Sequence, residues 1–261
     1  MSVWKAMLRI FLQQQVVHRE FWLILLLNGV LPVVVPLLAW VALADSVGNL
    51  HIEGWTIDTF TQYYIVNFII YSLSFTAIHH EMGNLIRTGQ MNFWILRPLS
   101  FFEFALSYSF SRLLVMLTFC ACVGFIVQLL GITSFSAEQM IIAFTVLPLA
   151  IILLVTLNIC IGTLAFWLIE CDGMFAAVLL FLQFFGGLIL PLNLFPVWIQ
   201  PVSHVLPLRF AFGLPAESIV NLTYSGISYI LAGQITWIVI LMIATWILWR
   251  FGLRHYDAVG A

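Results

Sequence analysis

MIIAFTVLPLAIILLVTLNICIGTLAFWL, residues 140–168, carries no charged side chain. About 20 apolar residues in an α-helix are enough to cross the roughly 30 Å hydrocarbon layer of a bilayer. This stretch is long enough, so the fold is decided here: the chain lives in a membrane. Comparable runs flank it on both sides, at about Phe21–Leu43, Gln62–Ile78, Ser107–Leu130, Met174–Leu192 and Ile227–Trp249. Pro32 and Pro36 are expected to bend the first of them. Composition agrees. Of 261 residues 63% are hydrophobic and 8% charged, whereas a soluble domain carries about 25% charged residues. A soluble globule is excluded. A net charge of −2 without a basic patch gives nucleic acid nothing to hold. No internal repeat or low-complexity linker divides the chain, so residues 1–261 are expected to form a single transmembrane domain.

The N-terminal segment differs from the spans. Lys5, Arg9 and Gln13 recur every four positions, and Val3, Trp4, Met7, Ile10 and Phe11 fill the other side. This pattern predicts a helix lying in the membrane surface, or packed on a partner below it, with Trp4 suited to the headgroup zone. The scattered charges and the absence of a small-residue cleavage site argue against a cleavable signal. Cys120, Cys122 and Cys160 fall inside apolar runs and Cys171 at the end of one, without the spacing of a zinc site.

Lysine and arginine set the orientation. Lys5, Arg9, Arg19, Arg87, Arg97, Arg112, Arg250 and Arg254 fall on or near one side if six spans put both ends in the cytoplasm; Arg209 lies opposite. Trp22, Trp40, Trp167, Trp198 and Trp249 fall near span ends, as an aromatic belt requires.

Chemistry is sparse. The sequence contains no GxxxxGK[ST], HExxH or GxSxG. Neither a catalytic nor a metal-ligating set stands out. His79 and His80 are adjacent and face different sides of a helix, which makes a poor chelate. The middles of the spans hold neutral Asn28, Asn67, Asn158, Gln183 and Gln234 rather than the buried ionisable groups of ion-coupled carriers. These five either line a path or bond helices together. Asn221-Leu222-Thr223 fits a glycosylation acceptor, a pattern too common to carry weight.

Two segments between spans are unusual. HHEMGNLIRTGQMNFWILRPLS, residues 79–100, is too polar to cross a bilayer yet rich in apolar anchors. Met82, Leu85 and Ile86 group at i, i+3 and i+4; Gly89 is placed to end a first short helix, Asn92 to cap a second and Pro98 to end it. This predicts a cytoplasmic helical elbow that presses an apolar face and a charged rim on a second protein, or else lies on lipid. LILPLNLFPVWIQPVSHVLPLRFAFGLPAESIVN, residues 188–221, holds Pro191, Pro196, Pro201, Pro207 and Pro215 but stays apolar. Short broken helices dipping into the outer leaflet fit both facts. They form either a gate or a sealing cap.

The order of these parts carries a resemblance. An amphipathic N-terminal helix, six spans, the elbow GNLIRTGQMNFWILRPL, the outer LPLNLFPVW and the tail RFGLRHY (250–256) together resemble the permease subunit of type-2 ATP-binding-cassette exporters, in the branch with short chains. The likeness covers nearly the whole chain. It implies an all-α polytopic protein of a bacterial inner membrane, with both termini cytoplasmic and re-entrant helices between spans five and six. It implies a second permease, identical or homologous, across a central path, and two ATPase subunits below, in contact with membrane lipid throughout. No cofactor is implied in this chain; ATP and magnesium belong to the ATPase. The elbow Glu81–Pro98 would be the coupling helix, with Glu81, Leu85, Arg87, Met91, Phe93, Trp94 and Arg97 as its contact residues. Pro191, Phe195, Pro196, Trp198 and Pro207 would belong to the outer gate. Two other readings stay open: a membrane-embedded lipid-modifying enzyme, for which His79, His80, Glu81 and Glu170 are the plausible cluster, and a non-transporting scaffold subunit.

Overall fold

The structure is a computed structural model and describes residues 9–13, 31, 34–40, 42, 55–74, 76, 78–92, 101–168, 172–197 and 200–256. These residues are helical in the main, with no strand among them. Among the described residues three stretches are long and apolar enough to cross a membrane: Phe101–Leu129, Ala137–Phe166 and Tyr224–Arg254. They correspond to the third, fourth and sixth predicted spans. The first predicted span lies largely outside the described residues, although 34–40 are helical.

Helix α1 (Ile57–Ser74) corrects the second predicted span at both ends. It starts five residues before Gln62 because Thr56 and Thr59 cap one another. The Thr59 amide donates to Thr56 Oγ1 at 3.2 Å and the Thr56 amide to Thr59 Oγ1 at 2.7 Å. The pairing satisfies two orphan donors in the manner of a capping box. Hydropathy under-reads this helix since its polar groups are enclosed rather than exposed: Thr61, Gln62, Asn67, Ser72 and Ser74 are all buried. Polar side chains in a membrane bundle turn toward protein, and the helices Phe101–Leu129, Ala137–Thr163 and Gly213–Val220 cover α1. Ile78, expected to end this span, instead opens α2 (Ile78–Arg87).

Helix α3 (Phe101–Leu129) begins earlier than the predicted Ser107, with Phe101, Phe104, Ala105 and Tyr108 buried in its first turns. Helix α4 (Ala137–Thr163) starts at a full capping box between Ser136 and Gln139, and Leu164–Phe166 prolong it as a 3-10 turn. Helix α5 (Asp172–Phe185) has 14 residues. At 1.5 Å per residue it is about 21 Å long, short of the hydrocarbon thickness. The predicted fifth span, Met174–Leu192, is therefore not one continuous helix; Gly186 and Gly187 stop it.

A run of short helices follows: α6 (Gln200–Val205), α7 (Pro207–Ala211) and α8 (Gly213–Val220), before the long α9 (Ile227–His255). α9 packs along α4 with Ile230, Gln234, Leu241 and Thr245 buried. Spacings of four and seven keep such a stripe on one face of a helix.

Two cores mark the two ends of the bundle. At the cap end, Phe60, Tyr63 and Tyr64 of α1 meet Ile142 and Val146 of α4, Phe210 of α7, Phe212 just after it, and Ile230 of α9. At the elbow end, Ile78, Met82, Leu85 and Ile86 of α2 meet Phe104 of α3, Ile159 of α4 and Phe166. Outward-facing Phe125, Leu129, Phe144, Ile243 and Phe251 suit surroundings of lipid rather than water.

Candidate functional site: an elbow and a cap at opposite ends

The elbow is built on α2. Arg87 ends the helix, the Gly89 amide donates to the Ile86 carbonyl at 3.2 Å, and Gly89 has φ 71°. That left-handed conformation costs glycine little, so the expected stop is where the sequence placed it. Helical backbone resumes at Met91, one residue before the expected Asn92 cap. Phe93, Trp94 and Arg97 lie outside the described residues.

The apolar face of α2 points inward. Leu85 is 6% exposed and Met91 2%, both within the elbow-end core. That core is tied to the chain's two termini. Phe11 lies edge-on to Phe104 at 5.8 Å and to Tyr108 at 5.4 Å. Phe101 stacks on Trp249 at 3.9 Å, while Phe166 meets Trp249 at 5.3 Å and Tyr256 at 5.9 Å. α2 also sits closely on α4. A Cβ at Gly162 would come within 3.2 Å of His79 Cα and 2.9 Å of Met82 Sδ. What the elbow leaves outside is polar: His80, Arg87, Thr88 and Gln90 are exposed and Glu81 is half-buried. Burial raises the Glu81 carboxyl above its usual range, and neighbouring His80 opposes the shift. Arg87 is steadied by a 2.6 Å bond to Asn84 Oδ1.

Of the enzyme-like cluster, His79 is buried and His80 exposed, as adjacent helix positions dictate, and Glu170 lies outside the described residues. Among the described residues no three His, Cys, Asp or Glu side chains gather as metal ligands.

The cap is the proline-rich segment. Pro191 and Phe195 are buried, Pro207 half-buried at the first position of α7, and Pro196 exposed; Trp198 lies outside the described residues. Phe195 packs edge-on against Phe184 at 5.1 Å. Hydrogen bonds sew the cap together. The Gly213 amide donates to the Gly186 carbonyl at 2.7 Å, and the Leu192 amide to Glu217 Oε1 at 3.1 Å. Arg209 donates to Ser203 Oγ at 3.1 Å. Burial raises the Glu217 carboxyl, while the charge of Arg209 and the Leu192 amide pull the other way. From below, the Tyr63 hydroxyl donates to the Gly187 carbonyl and the Tyr64 hydroxyl to the Ile189 carbonyl at 2.6 Å. A second polar seam holds the loop before α4: Asp58 accepts from Thr133 at 2.8 Å, and Gln139 donates to Gln62 at 2.8 Å.

The neutral mid-span groups divide as follows. Asn158 donates to the Ser74 carbonyl at 3.3 Å, and Gln234 to the carbonyls of Phe210 at 3.0 Å and Val146 at 3.3 Å. Both therefore bond helices together. Asn67 lies fully buried one turn from Tyr63. Asn28 and the side chain of Gln183 lie outside the described residues.

Over residues 30–260 the sequence matches the family described as ABC-2 family transporter protein. The chain belongs to the ABC-2 transporter family. A comparison with individual curated proteins returned no match. As an ABC-2 membrane protein it is a permease, a transport component that is not itself catalytic, and such permeases normally work with an ATPase partner. As site residues of this ABC-2 permease, Tyr63, Tyr64 and Gly187 were not expected from the sequence, and Arg209 and Glu217 stood out only as charges. The available signals were two adjacent tyrosines inside an apolar run, a Gly-Gly step at the end of another, and a lone arginine within the proline-rich segment.

Proposed function

We propose that this permease forms, as a single domain, half of the translocation pathway of an ATP-driven exporter in a bacterial inner membrane. A second permease, identical or homologous, supplies the other half, and two ATPase subunits carrying ATP and magnesium bind at the elbow end. Six spans with both termini in the cytoplasm fit the distribution of lysine and arginine, which puts the elbow inside and the cap outside.

One observation carries the reading beyond family membership. α2 is anchored by its whole apolar face into the chain's own core, yet it offers an unburied polar rim of His80, Arg87, Thr88 and Gln90. A helix held that firmly transmits force into the bundle, and its rim faces outward, where a partner can reach it. Arg87 on this rim, with Arg97, Phe93 and Trp94 beyond it, is the surface assigned to the ATPase; Glu81, Leu85 and Met91 set its position.

The test is copurification with a candidate ATPase subunit, sought first among the neighbouring reading frames. Reversal of charge at Arg87 or Arg97, or replacement of Phe93 and Trp94 by alanine, weakens the complex and uncouples hydrolysis from transport. Undiminished binding by all these variants refutes the assignment.

A further inference from the structure

We infer that α1 is the element that carries elbow movement to the cap, and that the hydroxyls of Tyr63 and Tyr64 are the positioning groups that make the connection. The inference rests on the reading of the elbow as the ATPase contact.

α1 is covalently next to the elbow and hydrogen-bonded to the cap, so it bridges the two regions directly. Only residues 75–77 separate its last residue, Ser74, from α2. The joint is held against α4 on both sides, by Asn158 on the Ser74 carbonyl and by the close passage of His79 and Met82 over Gly162. At its other end α1 grips the turn that starts the cap. Tyr63 and Tyr64 donate to the carbonyls of Gly187 and Ile189. Consecutive helix residues project about 100° apart, so two adjacent hydroxyls on two nearby carbonyls resist rotation of α1 as well as sliding. Trp40 fixes the second grip by donating to the Tyr64 hydroxyl at 3.0 Å while its ring stacks on Phe60 at 4.5 Å.

The gripped turn does not yield independently of the cap. Gly186 is bonded to Gly213 and Leu192 to Glu217, both on α8. Gly187 stands at φ 85°, and a Cβ there would lie 2.8 Å from the Tyr63 hydroxyl and 3.1 Å from Gly213 Cα. The backbone of the turn thus comes as close to α1 and α8 as a residue without a side chain allows. Packing alone would ask only for aromatic rings at positions 63 and 64; the paired donors add a directional link.

The experiment uses the permease–ATPase complex in lipid vesicles. Val197, 80% exposed in the cap, is changed to cysteine after Cys120, Cys122, Cys160 and Cys171 are replaced by serine. Labelling by a membrane-impermeant charged maleimide is followed with and without ATP, magnesium and vanadate. With both tyrosines present, the labelling rate depends on nucleotide. In Tyr63→Phe/Tyr64→Phe, hydrolysis persists and that dependence is lost. Retention of the dependence in the double variant overturns the inference and leaves the exporter reading intact. Equal loss of hydrolysis and labelling also overturns it, since the hydroxyls are then structural. Absence of nucleotide dependence in the parent complex refutes the exporter reading, and this inference with it. If the double variant does not assemble, Gly187→Ala is read by the same criteria, for it keeps both rings and crowds the Tyr63 hydroxyl.

Discussion

At the scale of single residues, close approach and buried amides decide what this permease tolerates. Gly162 lets α2 lie on α4, and the nearest obstacle to a side chain there includes His79 backbone, which does not swing aside. Gly162→Val costs about 1–3 kcal/mol, the range for overpacking a close contact. A lowered thermal midpoint in detergent measures it, with Gly124→Val as the neutral control because nothing lies within 4 Å of that position. Gln234 poses a different question. Its two bonds to Phe210 and Val146 tie α7 and α4 to α9. Interhelical bonds of this kind average about 0.6 kcal/mol, so Gln234→Leu loses about 1 kcal/mol of stability and leaves transport at its normal rate. A large loss of transport with unchanged stability would instead put Gln234 on the pathway.

At the scale of elements, the cap carries a pH dependence of calculable sign. Glu217 on α8 has its carboxyl raised above the unfolded value, mainly by burial. Between those two values the folded protein binds more protons than the unfolded chain, so stability falls as pH rises through the interval and levels off above it. Glu217→Gln removes this slope while its side-chain carbonyl still accepts from the Leu192 amide. Thermal denaturation from acidic to neutral pH shows the difference. The elements were legible to different degrees. Phe101–Leu129, Ala137–Phe166 and Tyr224–Arg254 announce themselves through long apolar runs, and the broken cap through its prolines. α1 was blurred because hydropathy treats Gln62, Asn67 and Ser72 as exposed to lipid when neighbouring helices enclose them. The elbow's helix stop at Gly89 was readable from backbone preference. The direction of its apolar face was not, because an amphipathic pattern states that a face is covered without naming the cover; Leu85 and Met91 turn to Phe104, Ile159 and Phe166 of the same chain. The tyrosine grips join residues more than a hundred positions apart, a pairing that no local pattern encodes.

For the whole molecule, α9 is, with α4, a strut shared by both ends. Ile230 and Leu241 belong to the cap-end core, while Trp249 and Tyr256 close the elbow-end core around Phe101 and Phe166. A chain ending after residue 226 therefore loses support at both ends at once. It is expected to be degraded in the membrane, as quantitative immunoblotting against the full chain will show. The enclosure of α1 also bears on biogenesis. Gln62 and the Ser74 carbonyl are satisfied by Ser134, Gln139 and Asn158, all of which leave the ribosome later. Until α4 has been translated, Gln62 and the Ser74 carbonyl lack these later partners, and the newborn helix is expected to wait beside the insertion machinery instead of diffusing into the fatty-acyl phase.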